Sequence, residues 1–266
     1  MALNVCLAGA TGWAGSELAR GVAATDELVL ASAVSRTHAG KSLAEALGDA
    51  VPDVPVFATA TEALGRPCDV FVEYTHPDTA RANILAALEH GAHVVVGTSG
   101  LGDEDYAAID QAARAHGLGV LACGNFALTA VLLTKFAEMA AKYIPHWEII
   151  DYAYAGKPDA PSGTVRELAG RLGKVRQPQL DVPLERTVGV RETRGGTLSG
   201  SQVHAVRLPG FVLGVETIFG MPDQTLTIRH SAGASAKPYV DGALLAIRKV
   251  ATLTGLHRGL DAVLEL

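Results

Sequence analysis

Short apolar runs alternate with stretches of helical periodicity through the first half of the chain. Asn4–Ala8, Leu28–Val34, Asp69–Glu73, His93–Val96 and Gly119–Ala122 each have the length and apolar density of a buried strand. Helical stretches fall between them, one reaching about Ala24, one from Pro77 to His90 and one from Asp103 to His116. Pro77 suits a first helical turn, where its missing N–H deprives no partner. Strands alternating with helices in this way predict a parallel sheet covered on both faces. The segment His38–Leu64 mixes helix and loop character and carries no motif.

The second half reads differently. Thr129–Ile144 predicts a long helix leading into a second domain, and Trp147–Tyr154 a strand. From Lys174 to Gly200 the chain turns polar, with Gly195-Gly196, and predicts connections and a mobile loop. Val203–Leu208, Phe211–Phe219 and Gln224–His230 alternate polar and apolar positions. They predict strands with one face exposed or paired with another subunit. Lys237–Leu253 returns to helix.

The first strand runs straight into Gly9-Ala10-Thr11-Gly12-Trp13-Ala14-Gly15 and then a helix. A strand, a turn with G-x-x-G-x-x-G spacing and a helix make a dinucleotide-binding start. The glycines let the backbone approach a pyrophosphate, which sits on the helix N-terminus. About 20 residues on, NAD-preferring sites place an acid for the ribose hydroxyls. Here Ser35-Arg36 stands instead, and a guanidinium offers a planar fork to a 2′-phosphate. NADPH is the expected cofactor, with NADH use open. The expected fold is α/β, a Rossmann-type doubly wound parallel sheet over residues 1–126 plus 236–266. A second α+β domain for substrate and oligomerisation, residues 127–235, is inserted before the C-terminal helix.

Composition narrows the class. At 266 residues the chain can bury a sizeable core, and no window approaches the ~18 uninterrupted apolar residues of a membrane span. A net charge of −6 without a Lys/Arg run argues against nucleic acid. Cys6, Cys68 and Cys123 lack metal-ligand spacing, so no metal site is expected. With no basic leader and cleavage site at the N-terminus, a reducing cytoplasmic setting is expected.

The candidate substrate segment is Lys157-Pro158-Asp159-Ala160-Pro161-Ser162-Gly163-Thr164. The two prolines keep it out of a helix or central strand. Thr164-Val165-Arg166-Glu167 reads as a capping box opening a helix over Val165–Leu172. The N–H groups of Ser162, Gly163 and Thr164 would then face off a helix start, a place for a carboxylate. Lys157 would add a full positive charge. A Pro-rich loop that only caps a helix is the plainer alternative.

Trp147–Thr164 resembles the substrate segment of the dihydrodipicolinate reductases. Their pattern is a strand, two adjacent histidines, two variable residues, a lysine and then Asp-Ala-Pro-Ser-Gly-Thr. The lysine is present as Lys157 and the last six residues are Asp159–Thr164, but Ala153 and Tyr154 stand in the histidine places. Phe71-Val72-Glu73-Tyr74-Thr75-His76-Pro77, Val96-Gly97-Thr98-Ser99-Gly100 and Gly124-Asn125-Phe126 resemble the family's nicotinamide- and ribose-side loops. The resemblance continues through Val203–Gly210, Leu226–His230 and Leu244–Lys249, nearly the whole chain. It implies a cytoplasmic homotetramer that reduces a small cyclic imino-acid of the lysine and diaminopimelate pathway. Cofactor contacts would come from Gly9, Ala10, Thr11, Gly12, Trp13, Ala14, Ser35, Arg36, Gly97, Thr98, Ser99, Cys123, Gly124, Asn125 and Phe126. Gly163 and Thr164, with Ser162 and Lys157, would hold the carboxylate.

Three residues here carry other readings, the first being Trp13, which would either lie over the cofactor or simply pack. The opening Gly-Ala-Thr-Gly also resembles semialdehyde and acyl-phosphate dehydrogenases, which use a catalytic cysteine. Cys123 beside an apolar strand reads more simply as packing. His76 would either approach the nicotinamide or serve as a helix-start residue.

Reduction of a C=N or conjugated C=C bond needs a positioned nicotinamide, charge opposite the substrate acid, and a proton source. The family's usual acid falls at Ala153, which cannot supply a proton. Tyr154 can: a phenol of free pKa ~10 is neutral and able to donate at neutral pH. Tyr154, with Lys157 or a bound water, is therefore the candidate proton donor, with strand packing as its alternative role, and the resemblance implies a catalytic role for Lys157. Loss of one general acid costs ~10²–10⁴ in rate rather than all activity. Three functions follow from such a site: this reductase with a substituted acid, a reductase of another cyclic imine or enamine carboxylate, or a silent NADPH-binding sensor.

Overall fold

The computed structural model describes residues 2–48 and 50–265. It divides into two compact units, Met1–Leu128 with Ala236–Leu266, and Thr129–Ser235. The elements run β1 (Leu3–Ala8), α1 (Trp13–Ala23), β2 (Leu28–Val34), α2 (Leu43–Leu47), β3 (Val56–Phe57), α3 (Ala60–Ala63), β4 (Val70–Glu73), α4 (Pro77–Glu89), β5 (His93–Val96), α5 (Asp103–His116) and β6 (Gly119–Ala122). There follow α6 (Leu128–Tyr143), β7 (His146–Ala153), α7 (Gly163–Val175), β8 (Gly196–Leu198), β9 (Ser201–Arg207), β10 (Leu213–Met221), β11 (Gln224–Ala232), α8 (Val240–Lys249) and β12 (Gly255–Arg258).

The first unit holds a parallel sheet in the order β3-β2-β1-β4-β5-β6-β12. The doubly wound sheet expected from the pattern is present. Chain order reverses between β1 and β4, and ligands in such sheets lie beyond the carboxyl ends of the strands at that point. Phe71, Ile84, Leu88, Val94, Ile109 and Val120 pack together between the sheet and α4 and α5. α5 shows why its sequence makes a helix. Asp103, Glu104 and Asp105 fill its first turn, Asp105 accepts the Gly102 N–H at 2.9 Å, and Gly117 ends it in the left-handed region at φ 67°.

Three strands were not legible in the pattern: β3, β12 and also β8, three residues that pair with β9 inside the polar stretch read as connections and a mobile loop. β3 is two residues long, too short for any periodicity, and it lies inside the stretch read as helix and loop. β12 follows the helix expected over Lys237–Leu253, which ends as α-helix at Lys249, and it pairs with β6 at the sheet edge. A four-residue edge strand reading Gly-Leu-His-Arg has no apolar signature.

The second unit is a mixed sheet ordered β11-β10-β7-β9-β8, in which β7 and β9 are parallel and the other neighbours antiparallel. β7 alternates strictly, burying Trp147, Ile149, Asp151 and Ala153. Trp147 and Ile149 pack with Leu133 and Ala137 of α6 and with Val165, Leu168 and Leu172 of α7. The opposite face carries Glu148, Ile150 and Tyr152, half-buried. There Arg229 stacks 4.7 Å from the Tyr152 ring centre and pairs with Glu216.

Candidate functional site

The Gly-rich turn in the first unit is built by backbone-to-backbone contact. Gly9 has φ +79°, and a Cβ placed on it would lie 2.2 Å from the Tyr74 carbonyl oxygen at the end of β4. A Cβ on Gly15 would lie 2.0 Å from the Gly9 oxygen. The glycines therefore let β1, its turn and α1 close against one another. Gly12 is the N-cap residue of α1 with no side chain to spend on the helix, so the amides of Trp13 and Ala14 are turned outward. Trp13 is 62% exposed with its edge on Tyr239, their centres 5.8 Å apart. Thr11 Oγ1 lies 2.7 Å from Ser35 Oγ, tying the turn to the end of β2. Beside it a cavity of about 450 Å³ is lined by Gly9, Ser35, Arg36, Thr37, Thr75 and His76. Ala10 is buried beneath the turn.

The loops after β4, β5 and β6 meet at the same edge of the sheet. Gly97 leaves room for Tyr74, since a Cβ there would lie 2.3 Å from its ring. Tyr74 tilts against Phe126 at 5.8 Å. Its hydroxyl is buried without a hydrogen-bond partner among the described residues. Burial, with Cys123 and Tyr239 nearby, pushes this phenol's pKa up. An orphaned donor, a turn that a side chain would block and an open cavity suit a dinucleotide. Ser99 and Gly124 lie exposed on these loops. Asn125 caps its own turn, its Oδ1 accepting the Ala127 N–H at 2.8 Å. Cys123 is buried. His76 is the N-cap residue of α4 and pairs with Asp78 at 3.1 Å.

Glu73, at the end of β4, did not stand out in the sequence. Fully buried, it accepts the Thr75 N–H at 2.7 Å, the Thr75 hydroxyl, Thr98 Oγ1 at 3.2 Å and Asn83 Nδ2 at 2.9 Å. One carboxylate thus ties the loops after β4 and β5 together. Burial raises its pKa, against the lowering effect of those hydrogen bonds. A raised folded pKa means that Glu73 contributes most below its unfolded value of about 4.5, and that this contribution is lost as pH rises through the folded value. The Tm of wild type minus that of Glu73→Gln should therefore fall as the pH is raised above about 4.5. A constant or rising difference in thermal melts would refute it.

In the second unit, the candidate substrate segment leaves the end of β7. Tyr154 lies one residue beyond the strand, 47% exposed, and Ala153 faces the core. The Lys157 side chain is 20% exposed and its Nζ lies 2.6 Å from Asp159 Oδ1, with Arg166 at 4.0 Å from Asp159 Oδ2. The hydrogen bond from Lys157 holds the Asp159 carboxyl below the usual range, and the charge of Arg166 adds to the effect. Two cations thus share one carboxylate.

Two expectations about the helix start are corrected. α7 begins at Gly163 with Ser162 as N-cap residue, not at Val165, and no capping side chain bonds its backbone. Glu167 instead turns down the helix toward Arg171, 3.8 Å away. Nor is the Ser162 amide available to a ligand, since its N–H donates to Asp151 Oδ2 at 2.7 Å and its hydroxyl to Asp151 Oδ1 at 2.8 Å. Gly163 and Thr164, at the first two helical positions, keep N–H groups without intrahelical partners.

The model for dihydrodipicolinate reductase, N-terminus, matches residues 3–126, and that for its C-terminus matches residues 129–264. The chain belongs to the dihydrodipicolinate reductase family. It is 36% identical over 267 residues to 4-hydroxy-tetrahydrodipicolinate reductase of Geobacillus thermodenitrificans, covering 100% of both chains. With the Moorella thermoacetica enzyme of the same name it shares 37% over 268 residues, covering 99% and 98%. A dipicolinate-bound dihydrodipicolinate reductase from a Paenisporosarcina species matches with TM-score 0.88 and 29% identity, over 99% of this chain and 100% of that one. Amine dehydrogenase from Mycobacterium smegmatis, at TM-score 0.68 and 15% identity, shares the fold alone. Dihydrodipicolinate reductases are NAD(P)H-dependent oxidoreductases, and residues 3–126 match their nucleotide-binding N-terminal domain. No helix among the described residues is long and apolar enough to cross a membrane.

Proposed function

We propose that this chain reduces a cyclic imino-acid with NADPH, with the substrate named in its relatives, 4-hydroxy-tetrahydrodipicolinate, as the first to test. The observation that carries the reading is Lys157 standing upstream of a helix start whose Gly163 and Thr164 amides point away from the helix. When bound, the reduced nicotinamide supplies the hydride. Gly163, Thr164 and Lys157 hold the substrate carboxylate, beside the Ser162 hydroxyl, and in doing so orient the ring. Tyr154 donates the proton that the family's histidine would give.

The assay follows NADPH oxidation with the synthase-generated lysine precursor, in wild type and Tyr154→Phe. Wild type should turn over, and loss of the phenol should cut kcat by about 10²-fold or more. Unchanged turnover removes Tyr154 from the mechanism; no oxidation with this or other cyclic imino-acids ends the functional reading. Ala153 and Tyr154 at the histidine places also favour a second reading, a different cyclic imine or enamine carboxylate as the preferred substrate.

NADPH is favoured over NADH by Arg36 on the cavity wall next to Ser35. Arg36→Ala should weaken NADPH binding by about tenfold and leave NADH binding within twofold. Equal losses for both cofactors in fluorescence titrations would remove the phosphate contact. The half-buried face of the second sheet supports a homotetramer, which a light-scattering mass tests directly, and a cytoplasmic setting suits NADPH-dependent biosynthesis.

A further inference from the structure

Asp151 and Arg207 belong to none of the motifs read from the sequence. Asp151 faces inward on β7 with its side chain only 1% exposed. A bare carboxylate there would be costly, so its partners matter. They are the Ser162 N–H at 2.7 Å, the Ser162 hydroxyl at 2.8 Å and Arg207 Nη2 at 2.7 Å. Arg207 ends β9 directly opposite Ala153 of β7. Its Nη2 also donates to the Asp159 carbonyl at 2.8 Å, and its Nη1 to the carbonyls of Asp151 at 3.1 Å and Val206 at 3.0 Å. Its Nε is buried without a partner among the described residues. Both amino groups are aimed at the strand ends and the loop, and the orphaned Nε–H is the cost of that aim.

The substrate segment is therefore tied at two points to one ion pair on adjacent strands. Ser162 is the residue from which α7 starts, so its two bonds to Asp151 set the direction in which the next amides point. Asp159, held by its carbonyl, is the residue whose carboxylate receives Lys157. We infer that Asp151 and Arg207 are positioning residues for acid binding. They hold the helix mouth and the Lys157–Asp159 pair in one fixed relation to each other. Arg207 has a second effect, because an uncompensated carboxylate at the start of α7 would compete with a substrate acid for the same helix end. The inference rests on the proposed reading of Lys157–Thr164 as the acid-binding segment.

The test is direct binding of pyridine-2,6-dicarboxylate, a planar diacid, by calorimetry at fixed salt, with NADPH affinity measured by fluorescence. Asp151→Asn keeps the shape and removes the charge; Arg207→Lys keeps the charge and removes the fork. Each should weaken diacid binding by about tenfold or more, with NADPH affinity within about twofold of wild type. In turnover the KM for the acid should rise more than kcat falls. Should Asp151→Asn fail to fold, Arg207→Lys carries the test. Unchanged diacid affinity in a folded variant overturns the inference, as does a parallel loss of NADPH affinity, which would mark a general loss of structure. Lys157→Met is the control: if it leaves diacid affinity unchanged, the site reading itself fails and the inference goes with it. Loss in Lys157→Met without loss in the other two sinks the positioning role alone.

Discussion

Lys157→Met should lower kcat/KM for the imino-acid by about 10²–10³-fold while NADPH affinity stays within twofold of wild type. Methionine keeps the length and apolar stem of the side chain, so the change isolates the ammonium. That ammonium is mostly withdrawn from water and lies 2.6 Å from Asp159. A charge-assisted hydrogen bond in such a place contributes about 1.5–3 kcal/mol, more than an exposed ion pair would. Removing it has a second consequence. Asp159 is then left with Arg166, 4.0 Å away, as its nearest cation among the ion pairs at this site, and its carboxylate repels the incoming acid. Both effects act on ground-state binding and on the transition state, so KM and kcat/KM should both suffer. Steady-state kinetics in the acid decide it; a kcat/KM within threefold of wild type would exclude Lys157 from the site.

Gly9→Ala should destabilise the chain by about 3 kcal/mol or more, lowering Tm by roughly 6–12 °C, and should weaken NADPH binding at least tenfold. Two penalties add. An L-residue at φ +79° costs about 1–2 kcal/mol by itself. The new methyl would also sit 2.2 Å from a backbone oxygen of Tyr74, which cannot swing aside as a side-chain tip would. Gly91→Ala is the matched control. Gly91 has φ +81°, yet nothing lies within 4 Å of its added Cβ. It should show the conformational cost alone and unaltered cofactor binding. Equal losses in the two variants would mean that close backbone approach at the turn is unimportant.

The same contrast between pattern and contact runs through the whole chain. β2, β5, β6 and α5 have the boundaries that their apolar and helical periodicity predicts. Gly9, Gly12 and Gly15 announced a dinucleotide turn because side chains are excluded there, and a missing side chain is visible in any sequence. Asp159–Thr164 was readable for a related reason: Pro161, with Pro158 just before the segment, restricts the backbone locally. Family membership followed from those six residues together with the loops after β4, β5 and β6.

What lay outside the pattern depended on partners far along the chain. β3 and β12 are strands only because β2 and β6 offer them an edge to pair with. The start of α7 was misplaced because Ser162 spends its hydroxyl and amide on Asp151, eleven residues earlier. Glu73 gathers donors from Thr75, Asn83 and Thr98, and Arg207 reaches Asp151 across 56 positions. Periodicity and backbone restriction are properties of neighbouring residues, so sequence alone determined the layered α/β plan, the glycine-rich turn after β1 and the Pro-rich segment proposed to bind the acid. Which amides stay available, and which buried charges hold them in place, is decided by contacts that exist only once the strands are side by side.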